Sequence, residues 1–195
     1  MKKIILASTS ERRKELLMYL IGNNFEVMVS SYDEDNALEL PPKDLVMLHS
    51  LQKGRDVAGK LSDGIIISAD VLVDAEGKVL GKPKDANEAR EMLRRMSGRT
   101  VDVFSGIAVI DASFGKELRD FEITKVRFKQ MTEDEINDYV ASGEPLGKAG
   151  SFGIQGKAAA LIERIEGDYS NILGLPLFKL SGLLAQMGVN IFDYR

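Results

Sequence analysis

Apolar positions along the chain alternate between two periodicities. Lys3–Ala7 is a short apolar run of strand type. Ser10 then opens a helical pattern with Leu16, Leu17 and Leu20 on one side, and Gly22 stops it. Phe25–Val29 reads as a second strand. Lys43–Leu61, preceded by Pro41-Pro42, reads as a helix with Leu45, Leu48 and Gln52 along one side. Gly64–Ser68 is a continuous apolar run of the buried-strand kind, and it leads straight into Ala69-Asp70-Val71. Val71–Asp74 and Lys78–Leu80 flank Ala75-Glu76-Gly77, a hairpin turn signal.

In the second half, Asp85 and Glu88 form a capping-box pattern ahead of an apolar stripe of Ala89, Met92, Leu93 and Met96, which Gly98 ends. Val101–Asp111 alternates as a strand. Phe121–Phe128 alternates too, but its apolar phase slips between Ile123 and Val126, which predicts a bulge. Thr132 and Glu135 make another capping box, with Ile136, Tyr139 and Val140 facing the core. Ala159–Ile165 reads as a strand, Asp168–Asn171 as a turn, and Leu177–Met187 as a last helix closed by Gly188. Strands and helices mix, with some strands adjacent in sequence. The expectation is an α/β or α+β fold with a mixed sheet. No repeat, low-complexity tract or linker divides the chain, so one domain is expected.

Composition narrows the chemistry. The 195 residues contain no Cys and a single His, His49. A disulfide framework, a thiol nucleophile and a multi-His metal site are therefore excluded. His49 itself reads as a helix-surface residue. The formal charge of −4 argues against a general nucleic-acid binder. No run of about 18 apolar residues or secretory leader appears, which predicts a soluble, cytoplasmic protein without a membrane partner.

Five segments carry candidate chemistry. In Leu6–Arg13 a strand ends, three hydroxyl residues follow, and a helix begins with Arg12 and Arg13 in its first turn. A helix start disfavours cations unless an anion joins them, so a polyphosphate fits there. The alternative is that Ser10 only caps and the arginines pair with nearby Glu. Asp70, flanked by apolar residues, is costly to bury unless paired or metal-bound. At a strand end it would project into a cleft as a Mg²⁺ ligand or general base, or else form a structural ion pair. Lys82, in Gly81-Lys82-Pro83, is held extended by the proline and suits a phosphate contact or plain solvation. The glycine-rich stretch Lys148–Gly156 holds Gln155, whose amide can both donate to and accept from a base edge, or is a simple loop. Asp33-Glu34-Asp35 is either a solvated loop or a partner of Asp70 in a Mg²⁺ site.

Together these segments resemble the Maf family of nucleoside triphosphate pyrophosphatases. The resemblance rests on LASTSERRKELL, SADVLV, GKPKDANEAREMLRRMSGRTVDVFSG, DEINDYVASGEPLGKAGSFGIQG and ERIEGDYSNILGLPL, which occur in the family's order over nearly the whole chain. It implies a curved mixed sheet flanked by helices, in two lobes with a central cleft, and a homodimer. It also implies hydrolysis between the α and β phosphates with a divalent metal, Mg²⁺ or possibly Mn²⁺ or Co²⁺. On that resemblance Asp70 is the proton acceptor, and Ser8, Arg13, Lys53 and Lys82 contact phosphate. Glu34 stands with Asp70 near the metal.

The family's pyrimidine subgroup, acting on dTTP and UTP, carries Arg, Thr and Gln at three positions; the 7-methyl-GTP subgroup carries Trp, Gln and Glu. This chain has Arg12, Val71 and Gln155, so it resembles the pyrimidine type with a Val lacking the Thr hydroxyl. Glu11 replaces the family's usual Pro. Two alternatives stay open: a nucleotide-sensing regulator of cell division without turnover, and a purine-type enzyme acting on ITP or XTP.

Overall fold

The structure is a computed structural model that describes residues 2–35 and 38–194. A seven-stranded sheet runs through it in the order β2-β1-β3-β5-β6-β7, with β4 paired to β3 off that path. The strands are β1 (Ile4–Leu6), β2 (Glu26–Val27), β3 (Ile65–Ala75), β4 (Lys78–Leu80), β5 (Thr100–Asp111), β6 (Lys116–Phe128) and β7 (Ile162–Glu166). β1 lies parallel to β2 and β3, and the other pairs are antiparallel, so the sheet is mixed as expected.

Helices cover both faces. They are α1 (Glu11–Ile21), α2 (Pro42–Ala58), α3 (Ala86–Met96), α4 (Glu133–Ala141), the one-turn α5 (Tyr169–Ile172) and α6 (Leu177–Gln186). Ile4, Leu6, Ile65, Ile67, Ile107 and Val109 face a core shared with α1, α3, α4 and α6. Ile5, Ile66, Ala108 and Ile110 face the opposite way and pack with Leu51 and Val57 of α2. β3 is central and covered on both sides, which is why its sequence is apolar in runs rather than alternating.

Several expectations need correction. The strand opened by Gly64–Ser68 does not end there: β3 continues through Asp70 to Ala75, placing Asp70 mid-strand. The turn after it is two residues, Glu76 and Gly77, both in the left-handed region (φ 57° and 79°), as a type I′ hairpin requires. The bulge predicted between Ile123 and Val126 is absent: the β5–β6 register runs unbroken from Thr100 opposite Arg127 to Asp111 opposite Lys116. The apolar phase slips because Thr124 takes the buried position, where its hydroxyl donates to the Asp168 carbonyl, while Ile123 turns outward. An irregularity lies instead at Arg127/Phe128, against β7. Residues 157–161 form a 3₁₀ turn, so the last strand begins at Ile162. The turn read over Asp168–Asn171 contains α5.

The capping signals divide. Thr132 and Glu135 form the reciprocal box. Asp85 caps α3 through Asn87 N–H and Glu88 N–H, but the Glu88 carboxylate accepts from Lys84 N–H rather than closing the box.

The buried face of α2 departs furthest from the pattern of its apolar residues. That face is Leu45, Val46, His49, Ser50, Leu51, Lys53, Gly54 and Val57, not the line through Leu48 and Gln52. His49 is fully buried, not on the surface. Close approach to the sheet explains this. A Cβ on Gly106 of β5 would lie 2.3 Å from the Val46 carbonyl oxygen, and one on Gly54 would lie 2.7 Å from Ser68 Oγ. The Ser68 hydroxyl donates to the Ser50 carbonyl at 2.7 Å, joining strand to helix. Polar and glycine positions therefore form the contact, and a search for apolar residues does not find it.

Candidate active site

A cavity of about 690 Å³ opens beside β3, with the start of α1, the β4 hairpin, α2 and α3 around it. Ser8, Arg12, Arg13, Glu34, Lys53, Asp70, Val71 and Lys82 all line it. Residues from five separate parts of the sequence thus meet in one place. Gln155 does not join them. It is exposed, on the loop beyond the buried run Ser151–Ile154, and is not a lining residue of this cavity.

The α1 end is built by Ser10, whose hydroxyl caps the helix by accepting from Arg13 N–H at 3.4 Å. Glu11 pairs with Lys14 at 2.6 Å, not with an arginine. Arg13 turns inward and is buried. Its Nε donates to the Gly174 carbonyl at 2.8 Å and its Nη1 to Ser8 Oγ at 3.3 Å. Burial draws the Arg13 guanidinium below the usual arginine range, while Asp70 and Glu34 push it back up and Arg12 adds to the depression. Arg12 is also lowered, chiefly by burial, against Tyr139 and Glu15. Both stay protonated at neutral pH. Two guanidinium groups at a helix start form a positive wall that an anion completes.

Asp70 is directed toward α2, where Lys53 Nζ donates to its Oδ1 at 2.7 Å. The same ammonium lies 2.5 Å from Glu34 Oε1. Asp70 is thus ion-paired, as the structural reading expected, and it also lines the cavity. Burial acts to raise the Glu34 pKa, but the charge and hydrogen bond of Lys53, with Lys82 and His49 adding, bring it below the ordinary glutamate value. Val71, next along β3, faces the other side of the sheet and packs at the edge of the larger core. Lys82 is exposed on the cavity wall.

The glycine-rich loop is anchored rather than loose. Gly150 N–H donates to the Gly81 carbonyl at 3.0 Å, tying the loop to the Lys82 segment. Gly150 has φ 64°, and a Cβ there would lie 2.7 Å from Val73 Cγ2, so only glycine fits. Glu144 holds the far end, accepting from Tyr139 O–H and from the N–H groups of Lys157 and Ala158.

Sequence reading missed several residues. Tyr32, Glu88, Glu91, Met92 and Arg95 also line the cavity. Met92 and Glu88 lie on the recognised α3 pattern, but nothing local says that α3 borders this cavity. The Gly174 carbonyl, which orients Arg13, carries no side-chain signal at all.

Comparison with known proteins decides the family. A family model described as Maf-like protein matches residues 3–187. The chain belongs to the Maf-like protein family. It is 53% identical to a dTTP/UTP pyrophosphatase of Methanococcoides burtonii, over 99% of each chain. It is 51% identical to a dTTP/UTP pyrophosphatase of Methanosarcina mazei, over 99% of this chain and 98% of that one. A dTTP/UTP pyrophosphatase of Clostridium botulinum is 44% identical, over 98% of this chain and 100% of its own. Within this Maf-like chain, each segment that carried the resemblance lends at least one residue to the cavity wall, while Tyr32, Glu34, Lys53 and Lys78 line it from outside those segments. No helix among the described residues is long and apolar enough to cross a membrane.

Proposed function

We propose that this protein hydrolyses nucleoside triphosphates to the monophosphate and pyrophosphate, with uracil and thymine nucleotides preferred. The supporting observation is that a buried guanidinium, a helix start, two lysines and a mid-strand carboxylate share one cavity. The relatives' names give the substrate class.

In this reading Arg13, Lys82 and the N–H groups at the start of α1 hold the triphosphate and neutralise the charge that gathers on the departing pyrophosphate. Ser8 Oγ already accepts from Arg13 and from Ser10 N–H, so its own proton is left for a phosphate oxygen. Asp70 accepts the proton of the attacking water at its second oxygen, since Lys53 holds Oδ1. Water oxygen bonds to the α phosphorus as the bond to the bridging oxygen breaks. Arg12 and Val71 lie toward the nucleoside, and Gln155 reaches it only if its loop turns inward.

Where Asp70 gives its free oxygen to a divalent metal rather than to the water proton, Glu34 and Asp70 would hold that ion; Lys53 stands between them, and no third acidic or His group joins them among the described residues. Two neighbouring carboxylates on a cavity wall suit a magnesium-type ion, which takes one or two protein carboxylates and completes its shell with phosphate and water oxygens. Such an ion, when bound, supplies charge neutralisation at the phosphates and a more acidic water. The resemblance alone supports a cytoplasmic homodimer, and sedimentation equilibrium tests the dimer.

The experiment is ion-exchange analysis of products from UTP, dTTP, CTP, ITP, XTP and 7-methyl-GTP, with Mg²⁺ and with EDTA. The expected result is monophosphate plus pyrophosphate, fastest on UTP and dTTP and lost in EDTA. Tight binding without product would move the reading to a regulator. Faster turnover of ITP or XTP would move it to the purine type.

A further inference from the structure

Polar groups at positions 49, 53, 56 and 60 recur at i, i+4, i+7 and i+11, along one face of α2 and the turn just beyond it. All four engage the irregular segment 30–34. Tyr32 Oη and His49 Nδ1 share a hydrogen bond at 3.0 Å, with ring centroids 5.7 Å apart and planes tilted by 47°. Lys53 holds Glu34. Asp56 accepts from Ser31 N–H at 2.7 Å, from the Ser30 hydroxyl at 2.9 Å and from the Ser31 hydroxyl at 3.0 Å. Lys60 braces Asp56 at 2.9 Å and reaches the Ser31 hydroxyl at 3.3 Å.

His49 is the costly member of this set. It is fully buried, and its Nε2 has no hydrogen-bond partner among the described residues. An unpaired buried nitrogen is unfavourable, and an aliphatic side chain would fill the same helix face without that cost. What the imidazole adds is the bond to Tyr32. Tyr32 lies two residues before Glu34 and itself lines the cavity. The Lys53–Glu34 pair cannot set the loop alone, because both side chains are long and that of Glu34 is 32% exposed.

We infer that His49 is a positioning residue: beyond the Ser30–Ser31 stretch that Asp56 holds, it fixes Tyr32 and so sets residues 32–34 with the Glu34 carboxylate meeting Lys53 beside Asp70. This rests on the reading of the site above, because it gives Glu34 a part in turnover. Partners that orient a ligating or charge-bearing group act at one remove, and losing one costs about 10–100-fold in metal affinity or activity.

The test uses Tyr32→Phe, His49→Leu and the conservative His49→Asn, which keeps a polar group near Nδ1. The first readout is hydrogen exchange on the nucleotide-free, metal-free protein. The Tyr32 amide, bonded to the Ser30 hydroxyl, should exchange at least about ten-fold faster in Tyr32→Phe and His49→Leu, with β3 protection unchanged and the Ser31 amide still held by Asp56. The second readout is kcat on UTP, expected to fall about 10–100-fold with little change in KM, and to recover in large part in His49→Asn. In a Glu34→Gln background, His49→Leu should cost nothing further. Unchanged exchange at Tyr32 in Tyr32→Phe would overturn the inference, as would losses that simply multiply with Glu34→Gln. If His49→Leu fails to fold, Tyr32→Phe carries the test, since it deletes one hydroxyl and keeps the ring. If the wild type turns over no nucleotide, the reading of the site has failed, and the exchange measurement still decides whether His49 fixes the loop.

Discussion

The ammonium of Lys53 donates to Asp70 Oδ1 at 2.7 Å, and both side chains are nearly removed from solvent. The pair joins the middle of β3 to the middle of α2 across the face where Gly106 admits the helix backbone. Glu34 shares the same ammonium, so one cation balances two carboxylates on the cavity wall.

Asp70→Asn keeps the size of the side chain and an acceptor for Lys53 but removes the proton acceptor. Turnover of UTP should fall by about 10²–10⁴-fold, the usual worth of a positioned general base. Circular dichroism and nucleotide binding should be retained. Activity near wild type would remove Asp70 from the proposed mechanism.

Lys53→Met leaves Asp70 and Glu34 together without their cation. Breaking a buried pair from one side destabilises by about 3 kcal/mol, because the remaining charge is stranded. The urea midpoint should drop accordingly, and a Lys53→Met/Asp70→Asn double variant should regain part of the loss. No recovery in the double variant would show that the pair does not hold the helix to the sheet.

Gly106→Ala tests the close approach of α2. The added Cβ would lie 2.3 Å from the Val46 carbonyl oxygen and 2.5 Å from its carbon, both backbone atoms that cannot rotate away. The helix must shift, at roughly 1–3 kcal/mol. Since α2 carries Lys53, a displacement near 1 Å should also lower kcat on the order of a hundred-fold. Thermal unfolding and steady-state kinetics measure the two effects, and wild-type values for both would refute the contact.

Glu144 gives a pH dependence. Burial acts to raise its pKa, but Lys157 N–H, Tyr139 O–H and Ala158 N–H bonding to the carboxylate win, and the folded value lies below the ordinary one. The carboxylate therefore contributes stability that is complete above the unfolded value, about 4.3, and is lost as pH falls through the lowered folded value. The stability gap between wild type and Glu144→Gln should be full at pH 7 and shrink below about pH 4. Urea titrations at both pH values measure it; a gap that widens in acid would reverse the assignment.

What the sequence determined by itself is the set of elements and the chemistry they carry. Ser10 and Thr132 caps, the α3 stripe and the Gly77 turn are local events, fixed by side chains reaching only a few residues along the chain. Ser8, Arg12, Arg13, Asp70, Val71 and Lys82 stood out as candidates from ordered motifs and Glu34 from an acidic cluster, whereas Lys53 entered only through the family resemblance. What only the tertiary structure decided is how far each element runs and which face it buries. β3 extends through Asp70 because β5 pairs with it along its whole length, a partner far away in sequence. α2 buries His49, Ser50, Lys53 and Gly54 because glycines on both sides bring its backbone onto the sheet, where hydrogen bonds and an ion pair replace apolar packing. The bond from His49 to Tyr32 follows from that approach of α2, and Gln155 stays exposed on a loop anchored at Gly81 and Glu144, neither of which hydrophobic periodicity along one chain encodes.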